Sequence, residues 1–149
     1  MNQGLLTGEK TAAVQKLLEA LQQRKTTAVY DLPESQATYL AALITRITGK
    51  RVLLVLPNDL AANKATEDAQ QLVGNASACL PSGEIELGRG VSSHENTWRR
   101  LEALQKVVSG ETKLLCVSMD AMLRRMASPD QFKQALLHLA PGDRIMPDQ

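Results

Sequence analysis

Short apolar runs alternate with helical patterns along almost the whole chain of 149 residues. A chain in which strands and helices alternate in this way folds as a parallel sheet with helices on both of its faces. The predicted strands lie at residues 26–30, 51–56, 76–80 and 113–117, and the predicted helices at 8–24, 34–48, 60–73, 94–108, 120–126 and from 128 onwards. The fold class indicated is therefore α/β, with three layers and one domain.

The spacing of apolar residues indicates which side of each element faces the core. After Arg51, the run at 52–56 has no polar residue, which predicts a strand covered on both faces of the sheet. Apolar residues recur at helical spacing in five of the predicted helices, including the second, with Leu40, Leu43, Ile44 and Ile47, and the last, with Phe132, Leu136 and Leu139. The side chains predicted to point inward are Val14, Leu17, Leu18 and Leu21 in the first helix, Ala61, Ala65, Ala69 and Leu72 in the third, and Trp98, Leu101, Leu104 and Val108 in the fourth, with Arg99, Arg100, Glu102 and Lys106 outward.

The turn after the first predicted strand is where a nucleotide-binding α/β protein wraps phosphate. A phosphate loop needs glycines whose N–H groups point inward, a lysine for the β- and γ-phosphates and a Ser or Thr hydroxyl for Mg²⁺. Here no glycine stands between residues 26 and 48, and proline at the turn removes a backbone donor. We interpret Pro33, Glu34, Ser35, Gln36 and Ala37 as the positions of a degenerate phosphate loop, and we expect this chain to bind no cofactor.

Composition argues against several other classes of protein. A net charge of +1 gives no overall field that would attract nucleic acid, and one Trp, two Tyr and one Phe provide no stacking platform for single strands. Cys79 and Cys116 lie within apolar runs and are interpreted as buried thiols in a reducing compartment. Apolar runs are too short for a signal peptide or a membrane span, so we expect a cytoplasmic protein without membrane contact.

Ligands of parallel sheets bind beyond the carboxyl ends of the strands, which are predicted here at residues 31–35, 57–59, 81–90 and 118–120. Asp31, Asp59 and Asp120 follow predicted strands, but the third strand does not end in the Asp that a phospho-acceptor site requires. Asp59 and Asp120 are therefore interpreted as carboxylates of a first helical turn. His94 and His138 have no partners at metal-ligand spacing, so no metal site and no catalytic residue are predicted.

Basic residues leave two interpretations open. Arg89, Arg99 and Arg100 form a weak basic patch that binds phosphate if the three side chains converge. With Glu95 and Glu102 close by, the same pattern is typical of a solvated helix face.

A series of short motifs follows the order and spacing of a known family. The motifs are the loop at residues 32–38, YLAAL at 39–43, VLLVLP at 52–57, LP at 80–81 with Glu84, SSH at 92–94, RLEAL at 100–104, SGE at 109–111, VS at 117–118 with MLRR at 122–125, and PGDRI at 141–145. Over about residues 25–146 the chain resembles the first, UvrB-like helicase subdomain of bacterial transcription-repair coupling factors (Mfd). UvrB itself has a working phosphate loop and a long tyrosine-rich hairpin, for which residues 82–93 leave no room.

The resemblance implies a RecA-like, P-loop-NTPase-like fold with a degenerate phosphate loop, acting as a non-catalytic scaffold in transcription-coupled nucleotide excision repair. In that family the UvrB-like module helps to recruit UvrA, mainly through the following subdomain, and makes intramolecular contacts that hold the full protein in a repressed state. RNA polymerase, DNA, and ATP with Mg²⁺ bind other domains of what is an ATP-dependent DNA translocase. The implied division is an N-terminal helix at 1–25, a degenerate RecA-like domain at 26–140 and, at 141–149, the start of a linker to a further subdomain.

Two other functions stay open at this point. One is a UvrB-like or helicase-type ATP-binding domain with an unconventional loop, in which Asp31 and Glu34 would repel the phosphates. The other is a free-standing α/β adapter protein.

Overall fold

The computed structural model describes residues 11–82 and 94–136, in which helices alternate with parallel strands. The elements are α1 (Ala12–Gln22), α2 (Glu34–Thr48), β1 (Val52–Leu56), α3 (Asp59–Val73), β2 (Ser77–Leu80), α4 (His94–Ser109), β3 (Leu114–Ser118), α5 (Met119–Leu123) and α6 (Pro129–Ala135), with a 3-10 turn at Gly74–Ala76. The predicted α/β class is confirmed.

In the described residues the strands form one parallel sheet in the order β1-β3-β2, so the last of these three strands lies in the centre. Cys116 of β3 is paired with Leu54 of β1 on one side and with Cys79 of β2 on the other. The chain therefore passes from β1 to β2 across the position that β3 later fills. Because both pairings are parallel, the carboxyl ends of the three strands lie at one edge of the sheet, where the candidate site is found.

Alternate residues of β3 pack into two separate layers of helices. Leu114 and Cys116 lie with the alanines of α2 and α3 on one face, whereas Val117 lies with Ala103 of α4 and Ala121 of α5 on the other. Both faces of the sheet thus carry helices, as predicted. Leu114 has no exposed surface, and burying a leucine side chain contributes roughly 1.5–3 kcal/mol.

Small residues let α2 and α3 approach each other and the sheet closely. The buried side chains on these two helices are mainly alanine and threonine: Thr38, Ala41, Ala42, Leu43 and Thr45 on α2, and Ala62, Ala65, Thr66 and Ala69 on α3. The buried threonines donate to the backbone carbonyl four residues earlier, as Thr66 does to Ala62 at 2.8 Å. The small-residue face predicted for the third helix is confirmed for Ala65 and Ala69, with Ala62 rather than Ala61 at its buried end.

The strand predicted at residues 26–30 is wrong. The structure has no strand there, and residues 22–36 are exposed to solvent, with Val29 at 49% and Tyr30 at 82%. The run of Thr, Val and Tyr has strand propensity, but that propensity expresses a fit to a half-buried pleated surface, which this segment does not have. Residues 33–37, predicted to form a degenerate phosphate loop, consequently follow an exposed connection instead of a strand.

One face of β1 is uncovered, contrary to the prediction for this strand. Leu53 is 52% exposed and Val55 is 37% exposed, while Leu56 on the opposite face is buried. The uncovered residues share a face with the α4 layer, and α4 packs against β2 rather than over β1. The apolar run at 52–56 therefore forms an edge strand with one buried and one solvent-exposed face.

The inward face predicted for the fourth helix is wrong at its amino-terminal half. Trp98 is 69% exposed and Leu101 is 41% exposed, whereas Ala103 is buried at 4%. An alanine at the contact brings the helix backbone close to the sheet, and this rotates the larger side chains to the flank. Arg100, predicted to point outward, is half-buried as a result.

Helix ends agree closely with the sequence signals. Asn58 caps α3 by accepting a hydrogen bond from the N–H of Ala61 at 2.9 Å, and Gly49 ends α2 with a φ of 64°. Ser128 begins α6 with a capping box completed by Gln131. None of the helices in residues 11–82 and 94–136 combines the length and the apolar character needed to cross a membrane.

Candidate functional site

The carboxyl ends of the three strands meet at Asp59. This residue opens α3 directly after β1, and Asn58 already caps the helix, so the carboxylate of Asp59 is not needed as the cap. Since β3 lies beside β1 and β2 lies beyond it, the side chain can reach over the ends of both neighbouring strands. The predicted edge segments at 57–59 and 118–120 come together here with residues 81–82, the described part of the segment predicted at 81–90.

Both carboxylate oxygens of Asp59 accept hydrogen bonds from serines. The hydroxyl of Ser118, a residue with no exposed surface at the end of β3, donates to Oδ1. Ser82, just beyond β2, donates to Oδ2 from its hydroxyl at 2.6 Å and from its backbone N–H at 3.0 Å. The same Ser118 oxygen accepts the N–H of Ala121 and so caps α5. One carboxylate thus joins the ends of β1, β2 and β3.

These contacts set the charge state of Asp59. Burial by itself would raise the pKa of the carboxyl group, but the hydrogen bonds from Ser118 and Ser82 outweigh it and hold the pKa below its ordinary value of 3.8. Asp59 is therefore an anion at neutral pH, with most of its acceptor capacity already used. Such a group is a poor general acid and a weak base, so the arrangement is suited to holding strand ends together.

Two arginines lie beside this carboxylate. Arg100 donates from Nη1 to the carbonyl oxygen of Pro81 at 2.6 Å, and Arg124 lies 3.3 Å from Asp120 through Nη2. Burial, together with repulsion from Arg124, lowers the pKa of Arg100, although Asp59 opposes the shift. Nη2 of Arg100 and Nε of Arg124 are occluded and have no hydrogen-bond partner. Two cations and two carboxylates balance each other here, which leaves no net positive charge for an anion.

The residues predicted to form a degenerate phosphate loop lie apart from the Asp59 cluster. Pro33 is the N-cap of α2 and offers no side-chain cap, and Ala37 donates its N–H to the carbonyl of Pro33 at 2.9 Å within the helix. Glu34 and Ser35 are exposed. Gln36 lines a largely apolar cleft of about 410 Å³ between α1, α2 and residues 29–32. The first N–H groups of α2 have no side-chain cap, and Glu34 places an acidic side chain in the same turn.

In the predicted degenerate phosphate loop, Thr38 stands at the position of the Mg²⁺-binding hydroxyl. It is buried, with 2% of its surface exposed. Its hydroxyl donates to the carbonyl oxygen of Glu34 at 3.2 Å, inside the first turns of α2. The side chain therefore offers almost no surface to solvent.

Two of the three residues of the predicted basic patch lie in the described part of the chain. Arg99 makes an exposed ion pair with Glu95 at 2.9 Å, while the half-buried Arg100 donates to the carbonyl oxygen of Pro81. Arg89, like His138, lies outside the described residues, and the side chain of His94 is not described. The basic patch therefore stays a prediction.

No group of three or more His, Cys, Asp or Glu side chains that could hold a metal ion occurs within residues 11–82 and 94–136. Cys79 and Cys116 are neighbours on adjacent strands and are free thiols. Burial raises the pKa of Cys79 to about 11 and also raises that of Cys116. Neither thiol is a ready thiolate ligand or nucleophile at neutral pH.

Sequence reasoning placed Asp59 in a first helical turn, which is correct, but missed its bonds to the other strand ends. The signal in the sequence was a serine near the end of each of the two other strands: Ser82 lies two residues after β2, and Ser118 is the last residue of β3. That signal becomes informative only when the strand order is known, because the order decides which ends are neighbours.

Fold and site together define a small parallel α/β protein whose carboxyl edge is joined by one serine-bound carboxylate. No family model matches this chain, and neither a curated protein nor a solved structure matches it.

Proposed function

We propose that this chain is a non-catalytic scaffold with a RecA-like fold, the first UvrB-like subdomain of a transcription-repair coupling factor. It acts in transcription-coupled nucleotide excision repair through protein contacts. The ordered series of motifs over about residues 25–146 supports the family assignment. The parallel α/β sheet is compatible with that fold.

The observation that carries the non-catalytic role is the burial of Thr38, which is 2% exposed. A nucleotide-binding loop must present an accessible hydroxyl, a lysine and backbone donors at the same turn. Here Thr38 is buried, an alanine precedes it, and two acidic residues, Asp31 and Glu34, stand at the turn. Phosphate oxygens brought to this turn would be repelled and would find no cation.

The wider setting follows from the same proposal. UvrA would be recruited mainly through a following subdomain, while RNA polymerase, DNA and ATP with Mg²⁺ would bind other parts of the translocase. Within such a protein this subdomain would also make intramolecular contacts. The cytoplasm is the compartment in which these partners act.

Thermal unfolding of the purified chain with and without Mg-ATP or Mg-ADP tests the loss of nucleotide binding. A ligand at about a hundred times its dissociation constant raises the free energy of unfolding by roughly 2.7 kcal/mol. We expect no shift at millimolar nucleotide, with an active P-loop protein in the same buffer as positive control. A saturable shift would refute the scaffold and favour the alternative, an ATP-binding domain with an unconventional loop.

Strand-specific repair after ultraviolet irradiation tests the pathway in cells. Deleting the gene is expected to slow repair of the transcribed strand to the rate of the non-transcribed strand. Unchanged preference for the transcribed strand in the deletion strain would contradict the proposed role.

A further inference from the structure

The side of β1 that α4 leaves uncovered forms a narrow surface with a cleft at one end. Leu53 and Val55 of β1 are exposed on this side, and Leu115 of β3, the register partner of Leu53, is half-buried beside them. A cleft of about 160 Å³ lies at the amino end of the two strands, and three polar residues line it together with apolar ones: Arg51, Thr112 and Lys113. We call this surface, from the cleft to Val55, the β1 face.

Two bases in the cleft are not engaged by other side chains. In the described part of the chain, neither Arg51 nor Lys113 forms an ion pair or a side-chain hydrogen bond. Nη2 of Arg51 lies 3.3 Å from the point where a Cβ on Gly110 would stand, so the guanidinium lies over the loop that leads to Lys113. Glu111 of the same loop accepts the hydroxyl of Ser109 at 2.9 Å and does not line the cleft. The cleft therefore presents two positive charges to a negative group.

A buried hydroxyl in the same cleft lacks an acceptor. Thr112 is 4% exposed, and its Oγ1 has no hydrogen-bond partner among the residues that the structure describes. Native structures leave few buried polar atoms in this condition. A carboxylate is an acceptor for a hydroxyl as well as a counter-ion for Arg51 and Lys113. The three polar groups together favour an acidic side chain over a neutral one.

The spacing of helices over the sheet favours an α-helix as the element that carries this acid. In the order β1-β3-β2, β1 lies two strand spacings from β2, or about 9.6 Å. The helix α4 packs on β2, and neighbouring helices pack about 8–10 Å apart. The other helix on this side, α5, has only five residues and follows β3 at its carboxyl end. A helix over β1 would therefore lie at packing distance from α4, in the same layer.

Side chains on such a helix match the β1 face along its length. Positions i, i+4 and i+8 of a helix advance about 6 Å per step. Alternate residues of a strand advance about 6.6 Å, so Arg51, Leu53 and Val55 form three levels at nearly the same interval. An acidic residue at i faces the two bases when aliphatic residues at i+4 and i+8 cover Leu53 and Val55.

We propose that the β1 face binds an amphipathic helix of a partner protein, with an acidic side chain at Arg51 and Lys113 and aliphatic side chains on Leu53 and Val55. This inference rests on the proposed scaffold function, because it names a surface through which the chain holds a partner. Its residues belong neither to the predicted phosphate loop nor to the Asp59 cluster.

The probe for the test is an acetylated and amidated helical peptide of about five turns, based on Ala and Gln, with Glu and two Leu at i, i+4 and i+8. Saturable changes in amide shifts are expected at Leu53, Val55 and Leu115 of the ¹⁵N-labelled chain. One control peptide replaces Glu by Gln and tests the charge. Another keeps the composition but places Glu and the two Leu at i, i+2 and i+4, which aligns them on a strand instead of a helix. Both controls are expected to bind more weakly.

Lys113→Gln and Lys50→Gln form a matched pair on the protein. Both lysines are exposed, but only Lys113 lines the cleft. Loss of one exposed charge pair weakens a dissociation constant by up to about fivefold, and we expect this effect for Lys113→Gln alone.

Thr112→Val removes the hydroxyl and keeps the shape of the side chain. The free variant should unfold at no lower temperature than the wild-type chain, because the hydroxyl has no partner to lose. Its binding of the Glu peptide should weaken more than its binding of the Gln peptide.

Leu53→Cys tests whether the β1 face is open in the free chain. A maleimide should label this variant rapidly, with the wild-type chain as control, and the Glu peptide should slow the labelling. Protection without peptide would overturn the inference, because the face would already be covered. Protection that rises with protein concentration would assign the face to a second copy and would overturn it as well.

Absence of any change at Leu53, Val55 and Leu115 with millimolar peptide would also overturn the inference. Equal binding of the Gln peptide would exclude the acid, and equal or tighter binding of the strand-patterned peptide would exclude the helix. Equal effects of Lys113→Gln and Lys50→Gln would overturn the assignment of the cleft. These failures are distinct from a failure of the scaffold proposal, which nucleotide-dependent stabilisation of the chain would reveal independently.

Discussion

Replacing Asp59 by alanine tests whether one carboxylate joins the three strand ends. The substitution removes the acceptor of hydrogen bonds from Ser118 and from both donors of Ser82. Hydrogen bonds to a charged group contribute roughly 1.5–3 kcal/mol each, and a buried donor left without a partner costs about 1–3 kcal/mol. Because Ser82 is partly exposed and can bond to water, we expect a total loss of about 3 kcal/mol.

Asp120→Ala is the matched control for this substitution. Asp120 also lies in the first turn of a helix, so both variants lose a similar favourable interaction with the helix dipole. Its carboxylate is exposed and pairs with Arg124 of the same helix region, an interaction that contributes at most about 1 kcal/mol. Thermal unfolding followed by circular dichroism measures both variants. We expect Asp59→Ala to lower the melting temperature by roughly 6–12 °C and the control to lower it by a few degrees at most.

The pH dependence of the stability difference between the wild-type chain and Asp59→Asn provides an independent check. Since the folded pKa of Asp59 lies below its ordinary value of 3.8, its stabilising contribution is present above that value and is lost as the pH falls through the folded pKa. The stability deficit of Asp59→Asn should therefore be full at pH 7 and shrink below about pH 4. Equal deficits for Asp59→Ala and Asp120→Ala, or a deficit that grows in acid, would refute the reasoning.

Three further predictions concern the core, the thiols and a helix end. Leu114 is fully buried, so Leu114→Ala should lower the free energy of unfolding by about 2–5 kcal/mol. Leu53 is half-exposed, so Leu53→Ala should lower it by less than about 1.5 kcal/mol. Urea unfolding measures both losses, and equal losses would contradict the layer assignment. Iodoacetamide at pH 7.5 should leave Cys79 and Cys116 of the native chain unmodified until urea is added, as followed by the mass of the intact protein. The reason is that burial raises the pKa of both thiols, that of Cys79 to about 11. Rapid alkylation of the native chain would contradict this prediction. Gly49→Ala should lower the free energy of unfolding by about 1 kcal/mol, because the φ of Gly49 is 64°, which a side chain disfavours. No atom lies within 4 Å of an added Cβ, so the loss comes from the backbone alone. An unchanged melting temperature in thermal unfolding would exclude strain at this turn.

Local signals predicted most helix positions and the α/β class. Gly49 marked the end of α2, and the caps at Asn58 and Ser128 marked the starts of α3 and α6, because the residues that satisfy a helix terminus lie within a few positions of it. Periodicity also identified the three strands that form. These are properties of short stretches, and the sequence contains them directly.

Features that depend on partners far along the chain were not predictable in the same way. Apolar spacing does not state how far a helix extends across a sheet, so the exposure of Leu53, Val55 and Trp98 could not be inferred. The apolar run at residues 26–30 predicted a strand, but in the structure this segment does not pair with the sheet. The role of Asp59 depends on the central position of β3 in the sheet. The alternation of strands and helices along the sequence does not determine the order in which the strands lie side by side.

The uncovered side of β1 has a consequence for how this protein behaves in concentrated solution. Val52–Leu56 is a run of five aliphatic residues at the sheet margin, and such runs template self-association into cross-β aggregates. Lys50 and Arg51 precede it and Pro57 follows it, a placement typical of gatekeeper residues that oppose stacking. Near the isoelectric point of about 7.8, where the whole molecule has little net charge, these three flanking residues are the main local protection against precipitation.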